Sequence, residues 1–188
     1  MPTFLSDPSA ATYAILAVLV FVTGVMAAKS RKKKQVIPFA LGVAALAALF
    51  LIDHFVESPR EAVGRKVAAM NAAGQKKDYA GLLTNVSDTF AAARLNKSRL
   101  KELGDRANAF GVEGVSLWDA TRANYREIDA TTAEQGFLVQ AVGSRVDSQR
   151  YAVGTFKKEA DGEWRLTAVK LYNPLQRTNG PEETVPGM

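Results

Sequence analysis

Residues able to do chemistry are sparse in this chain. Its 188 residues include one histidine and no cysteine. That removes thiolate nucleophiles and a disulfide framework, and with no clustered His or Cys no metal site is expected. His54 stands beside Asp53 at the end of an apolar run. A side chain with an apolar body and a polar tip suits an interfacial anchor there better than catalysis. No phosphate loop, nucleophile elbow or dinucleotide glycine pattern occurs, and Gly111, Gly114 and Gly136 read as helix-end or strand-edge glycines, so no cofactor is expected. Acid–base work is left to carboxylates and phenols. Their pKa values would have to be set by an apolar wall, which only a folded core supplies.

Charge divides the chain in two. Residues 57–188 hold 19 of the 24 Lys and Arg and 17 of the 19 Asp and Glu. The formal net charge of +5 equals what Lys29, Arg31, Lys32, Lys33 and Lys34 supply within six residues, so the remainder is neutral. With no long basic block after Glu57, the chain is not expected to bind nucleic acid. About 130 residues follow position 56, enough for one compact domain.

Residues 10–28 are uncharged and dominated by Ala, Val, Leu and Ile. As a helix they reach roughly 28 Å, close to the hydrocarbon thickness of a bilayer. Residues 36–56 form a second apolar stretch, with Asp53 and His54 at an interface and Pro38 in a first helical turn. The pair predicts a transmembrane helical hairpin behind a short tail, residues 1–9, whose one charge is Asp7; a signal peptide would begin with positive charge. The basic connector, residues 29–35, predicts a cytoplasmic turn and lipid contact, with the domain on the far side. That corresponds to a bacterial inner-membrane protein with a periplasmic domain. Ala40, Ala44 and Ala48, like Gly24 and Ala28, recur every fourth residue, a spacing that an Ala-rich composition also produces by chance.

Ser58, Pro59 and Glu61 mark a helix start, Val63, Val67 and Met70 fall on one face with Ala62, Ala69 and Ala73, and Gly74 offers a stop. Asp78 caps a shorter helix carrying Leu82, Leu83 and Val86. Asn96 caps a third, with Leu100, Leu103, Ala107 and Phe110 as its buried stripe and Gly111 as its end. The segments 113–119, 122–129, 136–146, 150–159 and 163–172 are rich in β-branched and aromatic residues and read as strands. Asp161-Gly162 is the strongest turn signal and Asp147-Ser148 a weaker one. The order predicts an α+β domain over residues 57–175, with three helices packed on a curved, mainly antiparallel sheet, and a mobile tail over residues 176–188.

The run Asp78-Tyr79 with Leu82-Leu83, then Val86-Ser87-Asp88-Thr89-Phe90, and the closing hairpin of Tyr151 to Phe156 and Asp161-Gly162-Glu163-Trp164-Arg165-Leu166 resemble the nuclear transport factor 2-like superfamily, which includes SnoaL-like cyclases with a cystatin-like fold. The resemblance covers roughly residues 59–174. It implies a cone in which helices and a bent sheet enclose a cavity, used by some members for catalysis and by others for binding. The histidine-based dehydratase pattern has no counterpart here. Members that are isomerases or epoxide hydrolases work with Asp, Tyr or Arg inside the cone, and on that basis Asp88, Asp119, Tyr125, Arg126 and Tyr151 are the catalytic candidates. None maps onto a family catalytic motif. Asp88 and Asp119 also suit turns, and Tyr125, Arg126 and Tyr151 suit cross-strand packing. Tyr79, Phe90, Phe110, Trp118, Phe137, Phe156 and Trp164 are candidates for lining a ligand pocket, and equally for core.

Two functions follow. The first is a membrane-anchored, extracytoplasmic module that binds a small ligand or an envelope protein. The second is a membrane-tethered lyase, isomerase or hydrolase acting on an apolar small molecule. A desolvated carboxylate beside a Tyr or Arg in an open pocket would favour the enzyme, and a cavity filled by side chains the module.

Overall fold

The computed structural model describes residues 10–30, 33–55, 57–107, 109, 111–143 and 146–183. The chain forms two units, divided between Ser58 and Pro59.

The first unit holds helices α1, Ala10–Ser30, and α2, Lys33–Phe55. Both reach into the basic connector, placing Lys29 in α1 and Lys33 and Lys34 in α2, while Arg31 and Lys32 lie outside the described residues. Because α2 begins at Lys33, Pro38 stands inside the helix rather than in its first turn. It has no N–H to give the Lys34 carbonyl. Glycine lets the two helices approach: a Cβ on Gly24 would come within 3.0 Å of the Phe39 ring, and one on Gly42 within 3.1 Å of Val20. Gly24 thus serves packing inside the hairpin. The Thr23 hydroxyl is satisfied within its own helix by the Leu19 and Val20 carbonyls, at 2.8 and 3.1 Å. By length and composition, residues 11–29 of α1 are long and apolar enough to cross a membrane, and α2 carries a shorter apolar stretch, Val36–Ile52.

The second unit is α+β. Helix α3, Pro59–Gln75, buries Ala62, Val63, Val67 and Met70 against the sheet, as their spacing predicts. Gly74 does not end the helix. Its Cα lies so close to strand β3, Val112–Trp118, that a Cβ would sit 2.5 Å from the Val115 carbonyl oxygen. Reversal falls instead to Lys77, whose φ is 58°. Asn71 completes the dock by accepting the Leu117 N–H at 2.8 Å.

Helix α4, Tyr79–Leu83, starts at Asp78, whose carboxylate accepts the Gly81 N–H at 2.8 Å. It stops before Val86, which bridges in parallel to Leu166. The two-residue strands β1, Ala91–Ala92, and β2, Leu95–Asn96, pair with each other. Helix α5, Lys97–Arg106, begins as Asn96 accepts the Arg99 N–H at 2.8 Å. Its expected stripe is only partly covered: Leu100 is half-buried, Leu103 is exposed, Ala107 is buried past the helix end, and Phe110 lies outside the described residues.

The main sheet adds β4, Tyr125–Asp129, β5, Thr132–Gly143, β6, Val146–Lys158, β7, Trp164–Tyr172, and β8, Glu182–Glu183. Its order is β3-β5-β6-β7-β8, with β4 paired to the other end of β5, and every pairing within it is antiparallel. The β5–β6 hairpin turns between Gly143 and Val146, so Asp147 and Ser148 are not its turn; they pair with Val142 and Ala141. Asp161-Gly162 does sit in a turn, but of five residues, with positive φ at Gly162 (85°) and not at Asp161. Residues 176–183, expected to be mobile, form a 3-10 turn at Arg177–Asn179 and then pair with β7 as β8.

Candidate functional site

Alternation along the strands separates two chemistries. The helix-facing side carries Val115 and Leu117 of β3, Ala133, Phe137 and Val139 of β5, Ala152 and Phe156 of β6, and Val169 and Leu171 of β7, all part of or packed on one apolar cluster with α3. Phe156 is 0% exposed. Phe90, Phe137, Phe156 and Trp164, considered as pocket lining, are therefore packed within this cluster. Tyr79 packs its ring by Gly104 of α5, and its hydroxyl is buried with no hydrogen-bond partner among the described residues. Trp118 points the other way, 38% exposed, opposite Leu138.

Across the opposite face runs a cross-strand row, Trp118, Leu138, Tyr151 and Tyr172, each paired with the next. Beside it lies a cleft of about 510 Å³, whose lining includes Arg126, Glu134, Gly136, Tyr151, Lys170 and Arg177. The turn Arg177–Asn179 comes over this face. Arg177 donates to the Asp119 carboxylate at 3.0 Å and lies 5.1 Å above the centre of the Tyr151 ring. Asp119 follows β3 with φ 60°, and its carbonyl accepts the Asn124 side-chain amide at 2.8 Å. That bond fixes the short 3-10 turn Arg122–Asn124 that leads into β4.

Tyr151 is only 5% exposed. Its hydroxyl lies over Gly136, where a Cβ would collide with it, so the absence of a side chain at that position makes room for the phenol. Burial pushes the phenol up from its ordinary value; Arg177 pulls it back and Asp119 adds to the rise. Arg126 and Glu134, directly opposite on β4 and β5, form an ion pair at 2.7 Å. Lys170, opposite Val153, is exposed and has no ion-pair partner among the described residues.

The fold thus gathers four of the five catalytic candidates, Asp119, Tyr125, Arg126 and Tyr151, at one cleft or its edge. Tyr125 contributes to its lining while packing against the core. Asp88 is apart. Its side chain is 94% exposed beside a separate depression between α4 and α5, and Lys97, donating at 2.8 Å, holds its carboxyl below the ordinary value. Lys170, Tyr172, Glu134 and Arg177 were not singled out by the sequence. Their one signal is alternation: Lys170 and Tyr172 interleave with core-facing Val169 and Leu171. Arg177 had no such signal, because it sits in a segment that reads as a tail.

No protein-family model matches the chain, and no curated protein does. Among solved structures, it is similar to Bd1075 of Bdellovibrio bacteriovorus at 10% identity and a TM-score of 0.47, covering 59% of this chain and 39% of that one. It is similar to a ketosteroid isomerase-like protein from Erwinia carotovora atroseptica at 12% identity and a TM-score of 0.46, covering 57% and 90%. A third is an NTF-2 like protein of unknown function from Shewanella oneidensis, at 10% identity and a TM-score of 0.46, covering 59% and 96%. Two of these three are described as ketosteroid isomerase-like and NTF-2 like, and at such TM-scores the likeness is loose.

Proposed function

We propose that this chain is a membrane-anchored binding module. The observation that carries the binding reading is the state of its candidate acids: Asp88 is exposed and paired with Lys97, Asp119 is held by Arg177, and the helix-facing side of the sheet is occupied by Phe90, Phe137, Phe156 and Trp164. A carboxylate that works as acid or base needs to be desolvated and aimed into open space. These residues offer paired carboxylates and a filled interior instead.

In this reading α1 and α2 are the anchor, with the basic connector in the cytoplasm and the domain in the periplasm or its equivalent, near a lipid surface and an envelope protein partner. What supports it is the exposure of an apolar helix pair: Ile15, Phe21, Leu41 and Phe55 are each more than half exposed, and none of the residues 11–29 is buried within the chain. A core helix of a soluble protein would be mostly covered, whereas lipid is a fitting solvent for such a surface.

Alkaline carbonate extraction of membranes from cells making the full chain tests the anchor. Retention in the pellet is expected, and release into the supernatant would overturn it. For orientation, Ser30→Cys and Gln176→Cys are labelled from outside intact cells with the outer membrane permeabilised. Reaction at position 176 alone is expected; reaction at position 30 alone reverses the topology.

A further inference from the structure

The polar cleft has one charge and one donor that nothing in the described chain uses. Lys170 has no ion-pair partner among the described residues, and Tyr151 is engaged there through its ring, by Arg177, while its hydroxyl takes part in no hydrogen bond among them. The other charges there are matched, Arg126 by Glu134 and Arg177 by Asp119. Resting on the reading of the domain as a binding module, we propose that this cleft binds a small organic carboxylate, held by the Lys170 ammonium and the Tyr151 hydroxyl.

Charge selects a monoanion. Three cations, Arg126, Lys170 and Arg177, face two carboxylates, Glu134 and Asp119, which leaves one positive charge unmatched. A dianionic phosphate would have to break one of the existing ion pairs to be neutralised. Size selects an organic body, since about 510 Å³ is far more than a bare ion fills and lies in the range of small-molecule clefts. Val153, Tyr151 and Tyr172 supply apolar surface to such a body. Chemistry selects the contacts. A phenol whose titration burial pushes upward stays protonated at neutral pH and can donate to a carboxylate, while the ammonium on the neighbouring strand gives the charge-assisted bond.

Arg177 defines the site from above. It draws the 3-10 turn across the sheet, so that the turn and the strands share the lining. The cleft lies on the sheet face away from the helices, opposite the apolar cluster.

The test uses the full chain in detergent with ring-labelled tyrosine, because the sequence has five tyrosines that serve as position markers for magnetic resonance. Benzoate is the probe, benzamide its neutral counterpart and phenyl phosphate the dianion. Benzoate is expected to shift Tyr151 and Tyr172 saturably, with Tyr151 assigned through Tyr151→Phe. Lys170→Gln should weaken benzoate about tenfold, the usual loss for one charge-assisted bond. Benzamide should bind at least about tenfold more weakly than benzoate, and phenyl phosphate no more tightly. Absence of a saturable benzoate shift at Tyr151 and Tyr172 would overturn the proposal, as would unchanged affinity in Lys170→Gln or equal binding of benzamide. Tighter binding of phenyl phosphate would overturn the carboxylate assignment. Saturable shifts at Tyr79 alone, which lies outside the cleft, would remove this site and leave the module reading intact, whereas carbonate release removes the anchor without touching the site.

Discussion

On β5, Ala133, Phe137 and Val139 turn toward the helices and into the apolar cluster, while Glu134, Gly136 and Leu138 alternate with them and meet Arg126, Tyr151 and Trp118 on the other side. The strands are the same and the period of two separates the chemistries. On one face, cohesion uses nearly every side chain. On the other, ion pairs and an aromatic row leave a cleft with unmatched polar groups. A sheet whose helix side is given over to core still has a whole face on which to place recognition.

The largest expected effect tests that division directly. Phe156→Ala, at a fully buried position, should cost about 3–5 kcal/mol in denaturant unfolding of the full chain in detergent. Lys170→Gln, on the same sheet but facing the cleft, should stay within about 0.5 kcal/mol. Similar losses for both would break the contrast.

Gly136→Ala probes the boundary between the faces. The added methyl falls on the Tyr151 hydroxyl, so the ring must move. A destabilisation of about 1–3 kcal/mol is expected, with a changed Tyr151 ring resonance. Wild-type stability and an unmoved resonance would show that the phenol does not rest on Gly136.

Asp119→Asn is a smaller change, because Asn also tolerates φ near 60°. Loss of its partly exposed pair with Arg177 should cost no more than about 1 kcal/mol. The sharper readout is Tyr151, which should titrate at a lower pH in tyrosinate absorbance once the neighbouring negative charge is gone. The sign for stability follows. A phenol raised above its ordinary 10.0 contributes stability that is complete below that pH and is lost as pH rises through the folded value, so the variant should lose it at lower pH. An unchanged titration would place Asp119 outside the electrostatics of the cleft.

The smallest effect lies away from both faces, in the β6–β7 turn. Arg165 donates to Asp161 at 2.6 and 3.0 Å, and these bonds, with the Glu163 N–H, hold the Asp161 carboxyl down to about 2. A depressed carboxyl contributes stability that is present above its ordinary 3.8 and is lost as pH falls through about 2. Asp161→Asn should flatten the acid limb of the unfolding midpoint slightly; an unaltered limb would show that the exposed pair carries no such contribution.

Much of the fold is legible where a local pattern suffices. Asp78 and Asn96 cap the helices expected of them, because capping depends on one side chain and the next three residues. Val63, Val67 and Met70 form the buried face their spacing announces. Legibility fails where a distant partner decides. Gly74 looks like a stop and is a close approach to β3. Asp147-Ser148 looks like a turn and is paired strand, because the β5–β6 register is set by the whole ladder. In the candidate site, Asp119, Tyr125, Arg126 and Tyr151 could be named from their types, but Lys170 and Arg177 could not, since nothing local shows that a turn after β7 will cross to a residue after β3.

By itself the sequence determined the division into an apolar hairpin region and a charged domain, the helix starts, and the α+β order, all of which depend on composition and short-range periodicity. Tertiary structure decided which aromatics became core, which face was left to the cleft, and that Arg177 meets Asp119 across 58 positions of chain. Such a pairing is specified by strand register and packing, and these are properties of the assembled sheet rather than of any window of residues.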